Sequence, residues 1–152
     1  MKNMSFFLTT QQFIDGTKDV TRRLGWAFLK PGDHFMAVEK AQGLKKGEKI
    51  RKLGQCVCVW NQPEPLNFIQ VYPYRQIQPD SITGKYQMVW NDLQYRAGKV
   101  PNEIDIESER EGFPSLYPVG FIEMFCREMS TKKRPVTPET IVNRIEFARV
   151  VA

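Results

Sequence analysis

Residues 16–24 read Gly-Thr-Lys-Asp-Val-Thr-Arg-Arg-Leu, and this stretch decides the local structure on which the rest of the fold is built. A short helix is predicted to end at Asp15, because Gly16 stands where helices commonly finish in the left-handed conformation. The β-branched pair and the alternation of side chains over residues 19–24 then predict a strand. The stretch therefore predicts a helix end, a bend and a strand in quick succession.

The periodicity of the remaining chain predicts several short strands and a second helix. Four apolar residues repeat at helical spacing, so residues 118–129 are predicted to form a helix that faces the core. Short strands with two modest helices are typical of an α+β fold, here a small, partly open β-barrel with flanking helices. The four helical positions are Val119, Ile122, Cys126 and Met129, and Phe121 and Phe125 widen this apolar stripe. The further strands are predicted at residues 34–38, 53–60, 67–71, 86–90 and 142–150.

Length and composition predict one domain over residues 1–152. The chain has 152 residues, of which 41% are hydrophobic, and this is enough to fill one core. Proline and glycine interrupt a mixed polar sequence at about residues 79–108, which is predicted to be an inserted excursion. Near the N-terminus only residues 6–8 are consecutively apolar, too few for a signal peptide or a membrane span. A cytoplasmic protein with no membrane partner is therefore expected.

The charge of the chain is concentrated in its first part. Residues 1–60 carry eleven Lys and Arg against five Asp and Glu, a net charge of +6. Residues 61–152 carry eleven against twelve, a net charge of −1. A basic N-terminal part favours an anionic partner, and a nucleic acid or nucleotide is the first candidate because phosphates supply sequence-independent contacts.

The candidate chemistry lies on the opening stretch. Thr21 and Arg23 are two residues apart and are expected to share one face of the strand, whereas Lys18 reaches Thr21 only across a bend. A lysine beside a hydroxyl activates a nucleophile when its amine is partly neutral, and burial near Arg22 would lower the lysine pKa. The same residues are also typical of a strand solvated by its charges, so the stretch by itself leaves both interpretations open.

A longer pattern extends this stretch along the chain. Its residues are spaced as Gly16-x-Lys18-x-x-Thr21-x-Arg23, and a turn at residues 31–33, the segment 111–114 and a closing segment 144–147 follow in order. In these pieces, which run through nearly the whole chain, the sequence resembles the ASCH domains, a branch of the PUA-like superfamily with a G-x-K-x-x-T-x-R signature. The resemblance implies a compact PUA-like β-barrel with flanking helices, in a family proposed to bind RNA.

The resemblance also implies an activity, because some small bacterial ASCH proteins hydrolyse the acyl amide of N(4)-acetylcytidine. It implies an amidohydrolase for N(4)-acylated cytidine or a related nucleoside, with no cofactor. Lys18 and Thr21 match two of the catalytic residues of those enzymes. The third is a glutamate that precedes the later helix, and Glu111 matches it best, with Glu107 and Glu109 as nearby alternatives.

The trio has a chemical rationale for cleavage of an amide. Thr21, or a water that it positions, would attack the acyl carbon, Lys18 would move the proton and Glu111 would assist the leaving amine. One departure is the excursion, which is longer than in the compact hydrolases. The hypothesis also includes substrate-binding residues, because an arginine would hold the acyl oxygen and an aromatic ring would stack on the base. The candidates are Arg22, Arg23, Trp26 and Phe113.

Two alternatives remain open at this stage. The rival function is a non-catalytic RNA-binding ASCH module, in which the basic loop at residues 45–52 contacts phosphates, although such a loop is also typical of a solvated surface. Cys56-x-Cys58 with His34 permits a zinc site, but no second ligand pair has finger-like spacing. Buried, reduced thiols, a surface histidine and no metal site are therefore predicted.

Overall fold

The computed structural model describes residues 1–71, 77–79, 86–88 and 106–151. The chain divides into two compact units. The first unit consists of Met1–Pro63, Arg110–Gly112 and Val142–Ala152, and the second consists of Glu64–Glu109 and Phe113–Ile141. The prediction of a single domain over the whole chain stays a prediction.

The described elements follow one another as an α+β arrangement. Within the described residues the helices are α1 (Thr10–Asp15), α2 (Ile106–Arg110) and α3 (Pro118–Met129), with 3₁₀ helices at Phe7–Thr9 and Leu66–Val71. The strands are β1 (Lys2–Ser5), β2 (Val20–Arg23), β3 (His34–Val38), β4 (Lys52–Pro65), β5 (Ile77–Pro79), β6 (Tyr86–Met88) and β7 (Ile141–Arg149).

The first unit is built on a five-stranded sheet in the order β1-β3-β4-β7-β2. β1 pairs with β3 in parallel, while the pairs β3–β4 and β2–β7 are antiparallel. The edge strands β1 and β2 approach each other, because Arg23 Nη2 on β2 donates a hydrogen bond to the Ser5 carbonyl on β1. The sheet is therefore curled into a half-barrel, which agrees with the predicted small barrel at the level of a mixed α+β fold.

Aromatic rings fill the hydrophobic core of this unit. The Phe6 ring centroid lies 5.2 Å from that of Phe13 and 5.5 Å from that of Phe147, and Phe35 meets Phe147 edge-on at 5.8 Å. All four rings are buried. Phe13 belongs to α1, so packing of this ring anchors the short helix directly against the sheet and fixes where its C-terminal end lies.

Several elements predicted from periodicity and turn chemistry are confirmed. α1 ends at Asp15 with Gly16 in the left-handed conformation, at a φ of 80°. The strand over residues 34–38 has the predicted bounds, and the strands predicted over 19–24, 53–60 and 142–150 appear as β2, β4 and β7 with shifted ends. A β-strand at Tyr86–Met88 lies inside the predicted excursion, most of which falls outside the described residues.

One predicted strand is a 3₁₀ helix instead. Residues 67–71 were expected as a strand but belong to the 3₁₀ helix Leu66–Val71. Leu66 and Ile69 are both fully buried. The buried apolar residues are therefore three positions apart, as in a 3₁₀ helix, and not two apart, as in a strand. The backbone N–H groups of Leu66 and Asn67 donate to the carbonyls of Thr140 and Pro138, and this ties the segment to a neighbouring loop instead of a sheet ladder.

The helix over residues 118–129 has the predicted bounds, and the part of the predicted apolar stripe formed by Phe121, Ile122 and Phe125 is buried. Val119 is 53% exposed and Met129 is also exposed. Large rings bury the most apolar area, so the helix is rotated to place its phenylalanines inward. The buried positions, at i, i+3, i+4 and i+7 spacing, are Pro118, Phe121, Ile122 and Phe125.

Candidate active site

The bend after α1 directs the Lys18 side chain inward. The N–H groups of Thr17 and Lys18 both donate to the Gln12 carbonyl, so the chain closes the helix before β2 begins at Val20. The Lys18 side chain is buried, and its ammonium group donates to the Val20 carbonyl at 2.9 Å. The predicted bend at Gly16 is therefore present, and it places the amine under the start of β2.

Glu111 lies between two buried cations. Lys18 Nζ is 3.4 Å from Glu111 Oε1 and also donates to the Glu111 backbone carbonyl. Arg22 Nη1 donates to Glu111 Oε2 at 2.8 Å. No more than 3% of any of these three side chains is exposed. Because a buried charge is tolerated only when it is paired and hydrogen-bonded, the three residues form one electrostatic unit.

The Lys18 amine is close to its point of titration at neutral pH. Burial, and then the positive charges of Arg23 and Arg22, lower its pKa, while the Glu111 carboxylate raises it in part, leaving a pKa of about 8. At pH 7 roughly a tenth of the molecules then carry a neutral amine, against less than about 0.1% for an ordinary lysine. A neutral amine accepts a proton, so the site contains a potential general base that is not histidine.

Thr21 and Arg23 form the other half of the cluster. The register pairs Thr21 with Ile145 and Arg23 with Asn143, and the two side chains share a face of β2 as predicted. Arg23 Nε donates to Thr21 Oγ1 at 3.0 Å, and its guanidinium carbon lies 5.0 Å from the centroid of the Phe6 ring. Burial lowers the pKa of Arg23 to about 10, so its charge is retained at neutral pH.

Lys18 and Thr21 do not contact each other directly. The hydrogen bonds of Lys18 end on Val20 and Glu111, and the Thr21 hydroxyl is held by Arg23, so no hydrogen bond joins the amine to the hydroxyl among the described residues. The Phe6 ring lies near both halves of the cluster. Its centroid is 5.5 Å from the Lys18 amine and 5.0 Å from the guanidinium carbon of Arg23, which donates to the Thr21 hydroxyl.

The other predicted site residues lie in different surroundings. Trp26 is half-buried in the first unit, with its ring 5.1 Å from that of Phe28. Phe113 belongs to the second unit, where its ring packs edge-on against Phe121 at 5.7 Å. Glu107 is buried in the second unit and Glu109 is exposed, whereas Glu111 contacts Lys18.

A second pair of charges holds Glu111 in place, and the sequence reasoning did not identify it. Arg110 donates to both oxygens of Asp19, at 2.9 Å and 3.2 Å, and the Asp19 N–H donates to the Arg110 carbonyl. Lys18 faces Glu111 while Asp19 faces Arg110, so a Lys-Asp dipeptide meets an Arg-Glu dipeptide running the opposite way. This charge complementarity is readable in the sequence once the two segments are paired.

Gly112 fixes the chain immediately after Glu111, and its replacement should be costly. Its φ is 99°, and an added Cβ would lie 2.9 Å from Thr9 Cγ2. Gly32 is a matched control, because its φ is 93° and no atom lies within 4 Å of the added Cβ. We expect Gly112→Ala to lower the free energy of unfolding by about 1–3 kcal/mol more than Gly32→Ala does, as measured by urea denaturation. Equal losses would show that contact with Thr9 contributes nothing.

The depressed pKa of Lys18 predicts a dependence of stability on pH. The folded pKa of about 8 lies below the ordinary lysine pKa of 10.5, so between these values the unfolded chain binds more protons and stability rises with pH. From pH 7 to pH 9.5, wild type should gain about 2 kcal/mol relative to Lys18→Met, which lacks the titration. Urea unfolding of both proteins at each pH measures this gain, and a pH-independent difference would contradict it.

The cysteines and the histidine lie where the sequence predicts them. Cys56 and Cys58 are buried and Cys126 is half-buried, and all three are free thiols. Burial raises the pKa of Cys56 to about 12, so this thiol is poorly suited to nucleophilic chemistry. His34 is exposed, with its Nδ1 atom 2.7 Å from Gln55 Nε2.

The described part of the chain contains no group of three or more His, Cys, Asp and Glu side chains placed to hold a metal ion. In that same part, no helix combines the length and the apolar character needed to cross a bilayer.

Comparison with known proteins adds no family assignment. No protein-family model matches the chain, and neither the curated proteins nor the solved structures contain a match. The functional interpretation therefore rests on the cluster of Lys18, Thr21, Arg22, Arg23 and Glu111.

Proposed function

We propose that the protein is a PUA-like ASCH domain that acts as an amidohydrolase, removing the acyl group from N(4)-acylated cytidine or a related nucleoside. The observation that carries the proposal is the buried Lys18–Glu111 pair, in which the lysine pKa falls to about 8 next to β2, the strand that contains the buried Thr21. An amine that is neutral part of the time, a hydroxyl and a carboxylate are the groups that an acyl transfer without metal or cofactor requires.

The first step is attack on the acyl carbon. The Thr21 hydroxyl oxygen forms a bond to this carbon, the carbonyl electron pair moves to the oxygen, and the hydroxyl proton passes to the neutral Lys18 amine. A water relays this proton, because the amine and the hydroxyl are not hydrogen-bonded to each other. The fixed charge of Arg23 next to Thr21 stabilises the negative charge that develops on the acyl oxygen.

The second step releases the nucleoside. The bond from the acyl carbon to the exocyclic nitrogen breaks, its electron pair goes to that nitrogen, and the Lys18 ammonium returns a proton to it while Glu111 orients the amine. Water then hydrolyses the Thr21 ester by the same proton route, releasing the carboxylic acid and restoring the hydroxyl. One amide and one water are converted to one amine and one acid. Direct attack by a water held on Thr21 gives the same products.

Two conservative changes at Thr21 test the proposal. Purified wild-type protein incubated with N(4)-acetylcytidine should release cytidine. Thr21→Val keeps the shape of the side chain without the hydroxyl and should lower kcat/KM by about 100-fold or more, whereas Thr21→Ser should keep measurable turnover. Wild type that is inert across several acyl-cytosine derivatives would overturn the proposal and leave the non-catalytic RNA-binding module as the better hypothesis.

A further inference from the structure

The groups assigned to hydrolysis are closed off in this structure. Thr21 is only 3% exposed, and Lys18 and Glu111 are buried as well. An acyl carbon must come within about 3–3.5 Å of the attacking oxygen, so a substrate cannot react while these side chains keep their present positions. Arg23, in contrast, is only half-buried. A route to the Thr21 hydroxyl therefore requires a side chain to move, and Arg23 is the first candidate.

The seam between the edge strands β1 and β2 contains backbone carbonyls that no neighbouring strand can satisfy. These two strands stand at opposite ends of the five-stranded sheet. The Phe6 N–H donates to β3, so the Ser5 carbonyl of the same trans peptide points away from β3, toward the seam. The Asp19 carbonyl accepts from β7, so the next carbonyl along β2, that of Val20, points away from β7. Each of the two carbonyls therefore needs a side-chain donor.

Arg23 supplies one of these donors and closes the seam. Its Nη2 atom donates across the seam to the Ser5 carbonyl, while its Nε atom donates to Thr21 Oγ1 at 3.0 Å. The guanidinium carbon lies 5.0 Å from the centroid of the Phe6 ring. One side chain thus joins β1 to β2, engages the hydroxyl of the assigned nucleophile and lies over the ring beside it.

Arg23 is also the cation of the cluster that moves at the lowest cost. Lys18 and Arg22 both bond to the Glu111 carboxylate, so moving either would break a buried ion pair. The two acceptors of Arg23 are neutral oxygens, which hold a cation less strongly than a carboxylate does. Because Arg23 is only half-buried, water can replace both acceptors when the side chain turns outward.

We propose that Arg23 is a gate, a side chain that closes the seam over the Thr21 hydroxyl and turns away before an acylated substrate enters. In the closed state its guanidinium is occupied by the Ser5 carbonyl and by Thr21. In the open state the hydroxyl is released to attack and the guanidinium is released to hold the acyl oxygen. The inference rests on the proposed function for the identity of the entering ligand, but opening of the gate is measured without turnover.

Alkylation of a thiol introduced by Thr21→Cys measures how often the gate opens. The change is made in a Cys126→Ser background, which removes the half-buried thiol, and labelling by iodoacetamide is followed by peptide mass spectrometry. Adding Arg23→Met, which keeps an apolar stem but removes the donors, should raise the labelling rate of the introduced thiol about tenfold or more. Loss of the neighbouring positive charge raises a thiol pKa and by itself slows alkylation, so a faster rate reports access.

A conservative variant at the same position grades the effect. Arg23→Lys keeps the charge but replaces the planar fork of donors with a single ammonium, which does not reproduce bonds to two separated acceptors. Its labelling rate should therefore lie between those of wild-type Arg23 and the methionine variant. Equal rates with arginine, lysine and methionine at this position would overturn the proposal.

Two native thiols and one exposed arginine provide the controls. Cys56 and Cys58 are buried in the same unit, so their labelling reports opening of the whole unit. Arg51→Met, at a largely exposed arginine, should leave the labelling of the introduced thiol unchanged. A parallel rise at the introduced thiol and at both native thiols in Arg23→Met would overturn the gate. Labelling that depends on Arg23 would support it even if wild type leaves N(4)-acetylcytidine intact, whereas hydrolysis with Arg23-independent labelling would reject the gate alone.

Discussion

Replacing Lys18 with methionine should lower kcat/KM for N(4)-acetylcytidine by about 1,000-fold, because the only proton acceptor assigned to the attacking hydroxyl is removed. Methionine matches the length of the lysine stem and is apolar, and Glu111 keeps its bond to Arg22, so the variant is expected to fold. Release of cytidine, followed by chromatography, measures the loss. Lys30→Met is the matched control, since Lys30 is exposed, and it should keep wild-type activity.

A second substitution at the same position separates the base from the charge. Lys18→Arg retains a cation beside Glu111, but a guanidinium does not give up its proton in proteins. If Lys18 acts as a base, the arginine variant should be as inactive as the methionine variant, even though it preserves the ion pair. Full activity in Lys18→Arg would contradict the assignment and indicate that Lys18 contributes only its positive charge.

Replacing Glu111 with glutamine should produce the largest loss of stability. The substitution leaves Lys18 and Arg22 buried and facing each other without the carboxylate that now holds both at 3.4 Å and 2.8 Å. Breaking a buried pair by removing one partner costs about 3–5 kcal/mol. Urea denaturation of the variant and of wild type at pH 7 measures this difference in the free energy of unfolding.

The surface pair Glu39–Arg51 provides the control for this loss. Its atoms approach to 3.1 Å, a distance similar to those in the buried pair, but 60% of the Arg51 side chain is exposed. Glu39→Gln should therefore cost less than about 0.5 kcal/mol. Adding Lys18→Met to Glu111→Gln should recover part of the loss, because one uncompensated charge is then removed. A loss at Glu111 no larger than that at Glu39 would show that burial does not strengthen this interaction.

Local chemistry was sufficient to predict the elements that position the cluster. Gly16 ends α1, Val20 begins β2, and the alternation along β2 places Thr21 and Arg23 on one face. Each of these features depends on neighbouring residues only, through the glycine φ and the two-residue period of a strand. The same reasoning located the bend that turns Lys18 inward.

What the sequence did not reveal depends on partners far along the chain. The resemblance grouped Lys18, Thr21 and Glu111, but no local pattern showed that the Lys18 amine would bond to Val20 and to Glu111, 93 positions away, and not to Thr21. The inward ring of Phe6 beneath Lys18 was also missed, since nothing local distinguishes it from the exposed ring of Phe7. Long-range pairing decides such contacts, and it becomes readable only when the two segments are aligned.

The most direct test of the central claim is simultaneous measurement of both products formed from N(4)-acetylcytidine in water enriched in ¹⁸O, with wild type and Lys18→Met purified in parallel. Hydrolysis by this chain predicts that wild type releases cytidine and acetate in equal amounts, that one oxygen of the acetate comes from the labelled water, and that the variant releases almost none of either product. Absence of both products from wild type, or equal release by the two proteins, would contradict it.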